Sequence, residues 1–125
     1  MRPKSGIDFM TATLKIDEDM MKDFNELLGS RSKNNYVVEV VENLVEFFNS
    51  ATREDKIKLA MNLAPYAARR KRMNDDTDKS YKKAVISVKL DRLKYDFLTE
   101  EARNIGFTFS DLIRRHIAKD IEETL

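Results

Sequence analysis

Two stretches of this chain carry the same alternating pattern, and it limits the possible folds more than anything else in the sequence. Met10-Thr-Ala-Thr-Leu-Lys-Ile16 puts Met10, Ala12, Leu14 and Ile16 on one face of an extended strand, and Thr11, Thr13 and Lys15 on the other. Ala84-Val-Ile-Ser-Val-Lys-Leu90 repeats the arrangement 74 residues later. Thr13-Leu-Lys15-Ile-Asp17 and Ser87-Val-Lys89-Leu-Asp91 share one order: hydroxyl, aliphatic, lysine, aliphatic, aspartate. A lone strand leaves two unpaired edges. The two segments are therefore expected to lie side by side as a two-stranded ribbon.

The segment after each strand repeats as well. Asp17 is a good helix N-cap, with Glu18 and Asp19 at the positive end of the helix dipole. Met20, Met21, Phe24, Leu27 and Leu28 recur at helical spacing up to Gly29, so a helix is expected from about Glu18 to Leu28. Ser32 would cap a second helix, with Val37, Val40, Val41, Leu44, Val45, Phe47 and Phe48 on its apolar side. The valines also suit a strand, but Glu39, Glu42, Asn43 and Glu46 fill a complementary helical face. After the second strand, Asp91 caps a helix with Leu93, Phe97, Leu98, Ala102 and Ile105 inward and Gly106 at its end. Thr108 and Asp111 have capping-box spacing. A last helix then carries Leu112, Ile113, Ile117 and Ile121.

Residues 50–82 have no counterpart in either repeat. Thr52 to Ala64 reads as a helix with Ile57, Ala60, Met61 and Ala64 on one side, broken at Pro65. Tyr66 to Arg72 extends it as helix, and Asn74 to Ser80 is a polar linker. The expected organisation is an N-terminal arm (1–8), a first strand-helix-helix unit (9–49), an extra helix and linker (50–82), and a second unit (83–125). The fold class is mostly α with a short antiparallel two-stranded ribbon. Each unit is too small to bury its apolar faces alone, so the two must share one core.

With 23 basic and 22 acidic residues, the net charge of +1 argues against a general polyanion binder. The charges are unevenly spread, with basic residues around the strands and acidic ones along the helices. A polyanion would meet one positive face of a nearly neutral molecule. The chain has no Cys and one His, His116, read as a packed residue, so no disulfide and no metal or cofactor site is expected. No Gly-rich phosphate loop or Ser/His/Asp arrangement points to catalysis. No apolar run approaches a membrane span of about 20 residues, and a cytoplasmic setting is expected.

The repeated order of strand, capped helix, glycine and second capped helix resembles the ribbon-helix-helix family of MetJ, Arc and CopG type. It covers Thr11–Phe48 and Lys83–Glu123. Two units in one polypeptide resemble the tandem transcriptional regulators of archaeal viruses and some prokaryotes. The resemblance implies a pseudo-dimer that inserts its ribbon into the DNA major groove and represses or activates transcription. Base contacts would come from Thr11, Thr13, Lys15, Val85, Ser87 and Lys89. Val85 departs from the polar or basic residue often found there, which implies asymmetric recognition. Phosphate contacts would come from the free N–H groups at the start of the second helix of each unit, at Ser32, Lys33 and Asn34 and at Thr108, Phe109 and Ser110.

Other readings stay open. Arg69, Arg70, Lys71 and Arg72 suit flanking DNA, an acidic partner protein or a solvated helix end. Residues 1–8 suit a phosphate backbone or a frayed terminus. The 50–82 segment suits a partner protein, as in antitoxins of this fold. Pairing of the strands within one chain is expected over pairing between two chains, with further self-association on DNA.

Overall fold

The computed structural model describes residues 8–67 and 83–124. Strand β1 (Phe9–Asp17) leads into helices α1 (Glu18–Leu28), α2 (Lys33–Ser50) and α3 (Arg53–Leu63), followed by a 3-10 turn at Ala64–Ala67. Strand β2 (Lys83–Asp91) leads into α4 (Arg92–Asn104) and α5 (Phe109–Thr124). The described chain is mostly helical, with one two-stranded antiparallel sheet. Both strands run one residue further at each end than the alternation predicts. The basic run Arg69, Arg70, Lys71 and Arg72 and the linker expected at Asn74 to Ser80 lie outside the described residues.

The two strands pair from Phe9↔Asp91 to Asp17↔Lys83, with Thr13 opposite Ser87 at the centre. Because side chains alternate across a strand, this register puts all the aliphatic residues but Val85 on one side. Ala12, Leu14, Ile16, Ile86, Val88 and Leu90 are 0–6 % exposed and roof the helices. A two-stranded sheet is marginal on its own in water. Here the helices supply the missing apolar contacts: Phe24, Val37, Val41, Leu98, Leu112, Ile113 and Ile117 are buried beneath it.

Each strand ends on a residue that also starts a helix. The Asp17 carboxylate, itself buried, accepts a hydrogen bond from the Met20 amide at 2.8 Å. Asp91 accepts from the Leu93 amide at 2.9 Å. At the far end of α1, Gly29 adopts φ +61°, a left-handed conformation that costs glycine little. Ser32 then caps α2 by accepting from the Asn35 amide at 3.0 Å. The valine-rich stretch is helical, with Tyr36, Val37, Val40, Val41, Leu44 and Phe48 buried. Its β-branched residues are tolerated because tertiary packing outweighs a propensity penalty of a few tenths of a kcal/mol each.

Four details depart from the sequence reading or add to it. Leu93 is 75 % exposed rather than inward, while Leu98 and Ala102 are buried. Five residues separate Leu93 from Leu98, so it points about 140° away around the helix. In α3 the side bearing Ile57 and Met61 faces outward, at 49 % and 67 % exposure, and the buried residue is Leu63. A full capping box also forms there: Thr52 Oγ1 accepts from the Asp55 amide at 3.1 Å, and the Asp55 carboxylate accepts from the Thr52 amide at 3.2 Å. At Thr108 the hydroxyl accepts from the Asp111 amide at 3.0 Å, but the Asp111 carboxylate turns to Arg114 at 3.4 Å.

Long-range polar contacts tie the helices together. Arg115 donates to the carbonyls of Leu63 and Ala64 at 3.1 and 2.9 Å, closing the end of α3, and stacks over Phe107 at 4.5 Å. Lys56 pairs with Glu101 at 3.0 Å, joining α3 to α4. Tyr36 on α2 donates to the Asp120 carboxylate on α5. Burial first, then the hydrogen bond and charge of Asp120, hold the proton on the phenol and raise its pKa. His116 lies one turn before Asp120, and burial lowers its pKa.

The buried and exposed leucines of α4 give a direct check of this packing. Leu98→Ala should destabilise the fold by about 2–5 kcal/mol, and Leu93→Ala by no more than about 0.5 kcal/mol, both read from urea midpoints.

Candidate nucleic-acid interface

Among the described residues, none covers the face of the sheet opposite the core. Thr11, Thr13, Lys15, Val85, Ser87 and Lys89 are all exposed, as period-two alternation requires. The register sets Thr11 opposite Lys89, Thr13 opposite Ser87, and Lys15 opposite Val85. The central Thr13–Ser87 pair marks an approximate two-fold axis, and the two lysines sit diagonally across it. The strand-end aspartates are turned away from this face into their helix caps. The outward side chains therefore present ammonium groups, hydroxyls and one aliphatic surface, with no carboxylate among the six.

The starts of α2 and α5 flank the two outer edges of the ribbon. The Asn34 side chain accepts a hydrogen bond from the backbone amide of Lys89 at 2.8 Å. On the other edge, Arg114 on α5 reaches the backbone carbonyl of Lys15 at 3.5 Å. These contacts hold each helix N-terminus beside the strand of the other half of the chain. Ser32 and Thr108 cap the two helices and leave the remaining first-turn amides without helical partners. Lys94 and Glu42 pair at 3.3 Å, bracing α2 against α4 beside the same edge.

The two predicted phosphate sets are not equivalent. Ser32, Lys33 and Asn34 are partly or fully exposed. In the other set Thr108 is exposed and Ser110 half-buried, but Phe109 is only 4 % exposed. Its ring packs on Tyr95 with centroids 4.6 Å apart. Phe109 therefore offers a ligand its backbone amide alone, the kind of contact expected at a helix start. Asn34 likewise has a structural partner, because its side-chain oxygen is engaged by the Lys89 amide.

Phe9, Asn34 and Arg114 shape this surface in ways the sequence did not indicate. Phe9 lies one position before the alternating run, shares the strand parity of Thr11 and Thr13, and is 51 % exposed at the ribbon end, where it also borders Val38 and Glu42 of α2. The Lys89 ammonium sits 5.6 Å from its ring centroid, within cation–π range. Asn34 and Arg114 meet the strands only through the fold, and no local pattern marks them. At the same end of the ribbon, Asp8 accepts from the Arg92 side chain at 2.9 Å and from its amide at 2.8 Å.

Among the described residues no three His, Cys, Asp or Glu side chains converge as a metal site. No helix among them is long and apolar enough to cross a membrane. No family model, curated protein or solved structure matches the chain.

Asn34→Ala frees the Lys89 amide at the sheet edge. Its hydrogen exchange should accelerate by about fivefold, corresponding to the roughly 1 kcal/mol of one hydrogen bond. Amide exchange followed by NMR checks this.

Proposed function

We propose that this chain is a tandem ribbon-helix-helix protein, a sequence-specific binder of duplex DNA that regulates transcription. The observation that carries the proposal is the two-sided sheet. Its aliphatic face is sealed into the core, and its six polar-to-aliphatic outward residues are exposed about an approximate two-fold axis. Apart from the pairing itself, a solvated two-stranded sheet does nothing for stability on that side. A DNA groove gives it a use.

The dimensions suit a major groove. Successive outward side chains on a strand stand about 6.8 Å apart, close to two base-pair steps of about 3.4 Å. Two strands about 4.8 Å apart enter a groove about 12 Å wide with their side chains on. Lys15 and Lys89 donate to guanine O6 and N7, the hydroxyls of Thr11, Thr13 and Ser87 donate or accept, and Val85 packs on a thymine methyl. The free amides at the starts of α2 and α5, on opposite sides of the ribbon, hold the two phosphate backbones. Lys33 adds charge on one side.

A second function is favoured by the outward face of α3. Ile57 and Met61 are exposed side by side and, with Ala60, Ile105 and Phe107, line a shallow apolar depression. We propose that a partner protein docks there. Removing the whole helix would not test this, because Leu63 belongs to the core. Ile57→Glu with Met61→Glu should abolish capture of a partner from host extract and leave DNA affinity unchanged, measured on the same preparation.

For the DNA reading, fragments selected from random duplexes supply the target. Lys15→Ala or Lys89→Ala should each weaken binding to it by about 1–3 kcal/mol, roughly 5- to 150-fold, with the thermal midpoint unchanged. Affinity should fall steeply with salt, as several phosphate contacts require. Wild-type affinity in both variants would rule out the ribbon as the reading surface.

A further inference from the structure

The approximate two-fold axis through Thr13 and Ser87 relates the two ends of the ribbon, and they differ. The alignment of the two strands makes Lys15 equivalent to Lys89, Thr11 to Val85 and Phe9 to Lys83. Each lysine therefore has a direct partner and a diagonal neighbour on the opposite strand. Lys89 faces Thr11 and has Phe9 on the diagonal. Lys15 faces Val85 and has Lys83 on the diagonal. The equivalent lysines thus stand in opposite surroundings, one beside an aromatic ring and the other at a register position next to a second lysine.

The difference at Phe9 has physical consequences. Its ring is half exposed although it is a large apolar side chain, and the Lys89 ammonium lies 5.6 Å from its centroid. Diagonal side chains on paired strands are within reach of aromatic and long residues, and the ring quadrupole attracts the cation. A lysine so placed keeps its charge over one spot and loses less rotamer freedom on binding. Phe9 also extends the outward row by one position, about 6.8 Å beyond Thr11.

We infer that Phe9 is a specificity-determining residue of this surface. It fixes Lys89 and adds an aromatic contact, so that the two ends of the ribbon read different half-sites of a non-palindromic duplex. This rests on the DNA-binding function proposed above. One half-site meets an ordered lysine, a threonine hydroxyl and an aromatic edge. The other meets Lys15 and the Val85 side chain. Val85 selects a base-edge methyl there, the chemistry of thymine in the major groove.

The proposal can be tested by making the ribbon symmetric. Phe9→Lys combined with Thr11→Val gives β1 the same residue order at alternate positions as β2: lysine, valine, hydroxyl, lysine. Both positions are exposed, and thermal unfolding monitors the fold. Selection from random duplexes with the wild type should yield a non-palindromic site, and with the double variant a palindrome of the Val85 half. Phe9→Ala alone should weaken binding to the wild-type site by about two- to fivefold, with mismatches tolerated only in the Lys89 half. Replacing thymine by uracil removes the methyl alone and should weaken binding in the Val85 half, an effect lost in Val85→Ala. A palindromic wild-type site, or equal effects of Phe9→Ala on both halves, overturns the inference and leaves DNA binding standing. Failure of the wild type to enrich any sequence overturns both.

Discussion

The pairing of β1 with β2 is the contact on which the rest of the molecule depends. It joins segments 74 residues apart in the chain and sets their register so that the buried face is wholly apolar. A slip of one residue would turn Leu14, Ile16, Ile86 and Val88 to water and bury lysines. That cost pins the register, and the register in turn fixes which six side chains face out. The geometry of the outer surface is thus set by the burial demands of the inner one. The helices serve the same end, since their apolar sides are what the sheet covers.

Much of this was legible because it was local. Alternation of period two identified the strands and both of their faces, including all six outward residues. Asp17, Ser32, Asp91 and Thr108 announced helix starts, and each side chain accepts the bond expected of an N-cap. Gly29 and Gly106 marked helix ends and adopt positive φ. These signals need only a few neighbouring residues to be read.

Elsewhere the sequence was silent or misleading, for reasons of phase and distance. Leu93 is apolar and so resembles a member of the inward stripe of α4, although its angle around the helix is wrong. In α3 the stripe at Ile57 and Met61 is real, but periodicity identifies a face without saying what lies against it. Phe109 follows a helix cap, and only the fold shows that its ring packs beside Tyr95. Contacts such as Tyr36 with Asp120, Arg115 with the end of α3, and Asn34 with Lys89 join residues 50 or more positions apart. Only the fold brings them together. Phe9 stands just outside the strict alternation that begins at Met10, so its place in the outward row shows only in the paired strands.

The covalent link between the strands also governs dilution. A sheet assembled from two separate polypeptides falls apart as concentration drops, because its formation is a bimolecular step. Here both strands belong to one molecule, so each is held near the other at an effective concentration fixed by the intervening chain. Closing so long a loop has an entropic cost, but it rises only by about 0.6 kcal/mol for each doubling of length. The surface is therefore complete in every folded copy, even when a cell holds only a few.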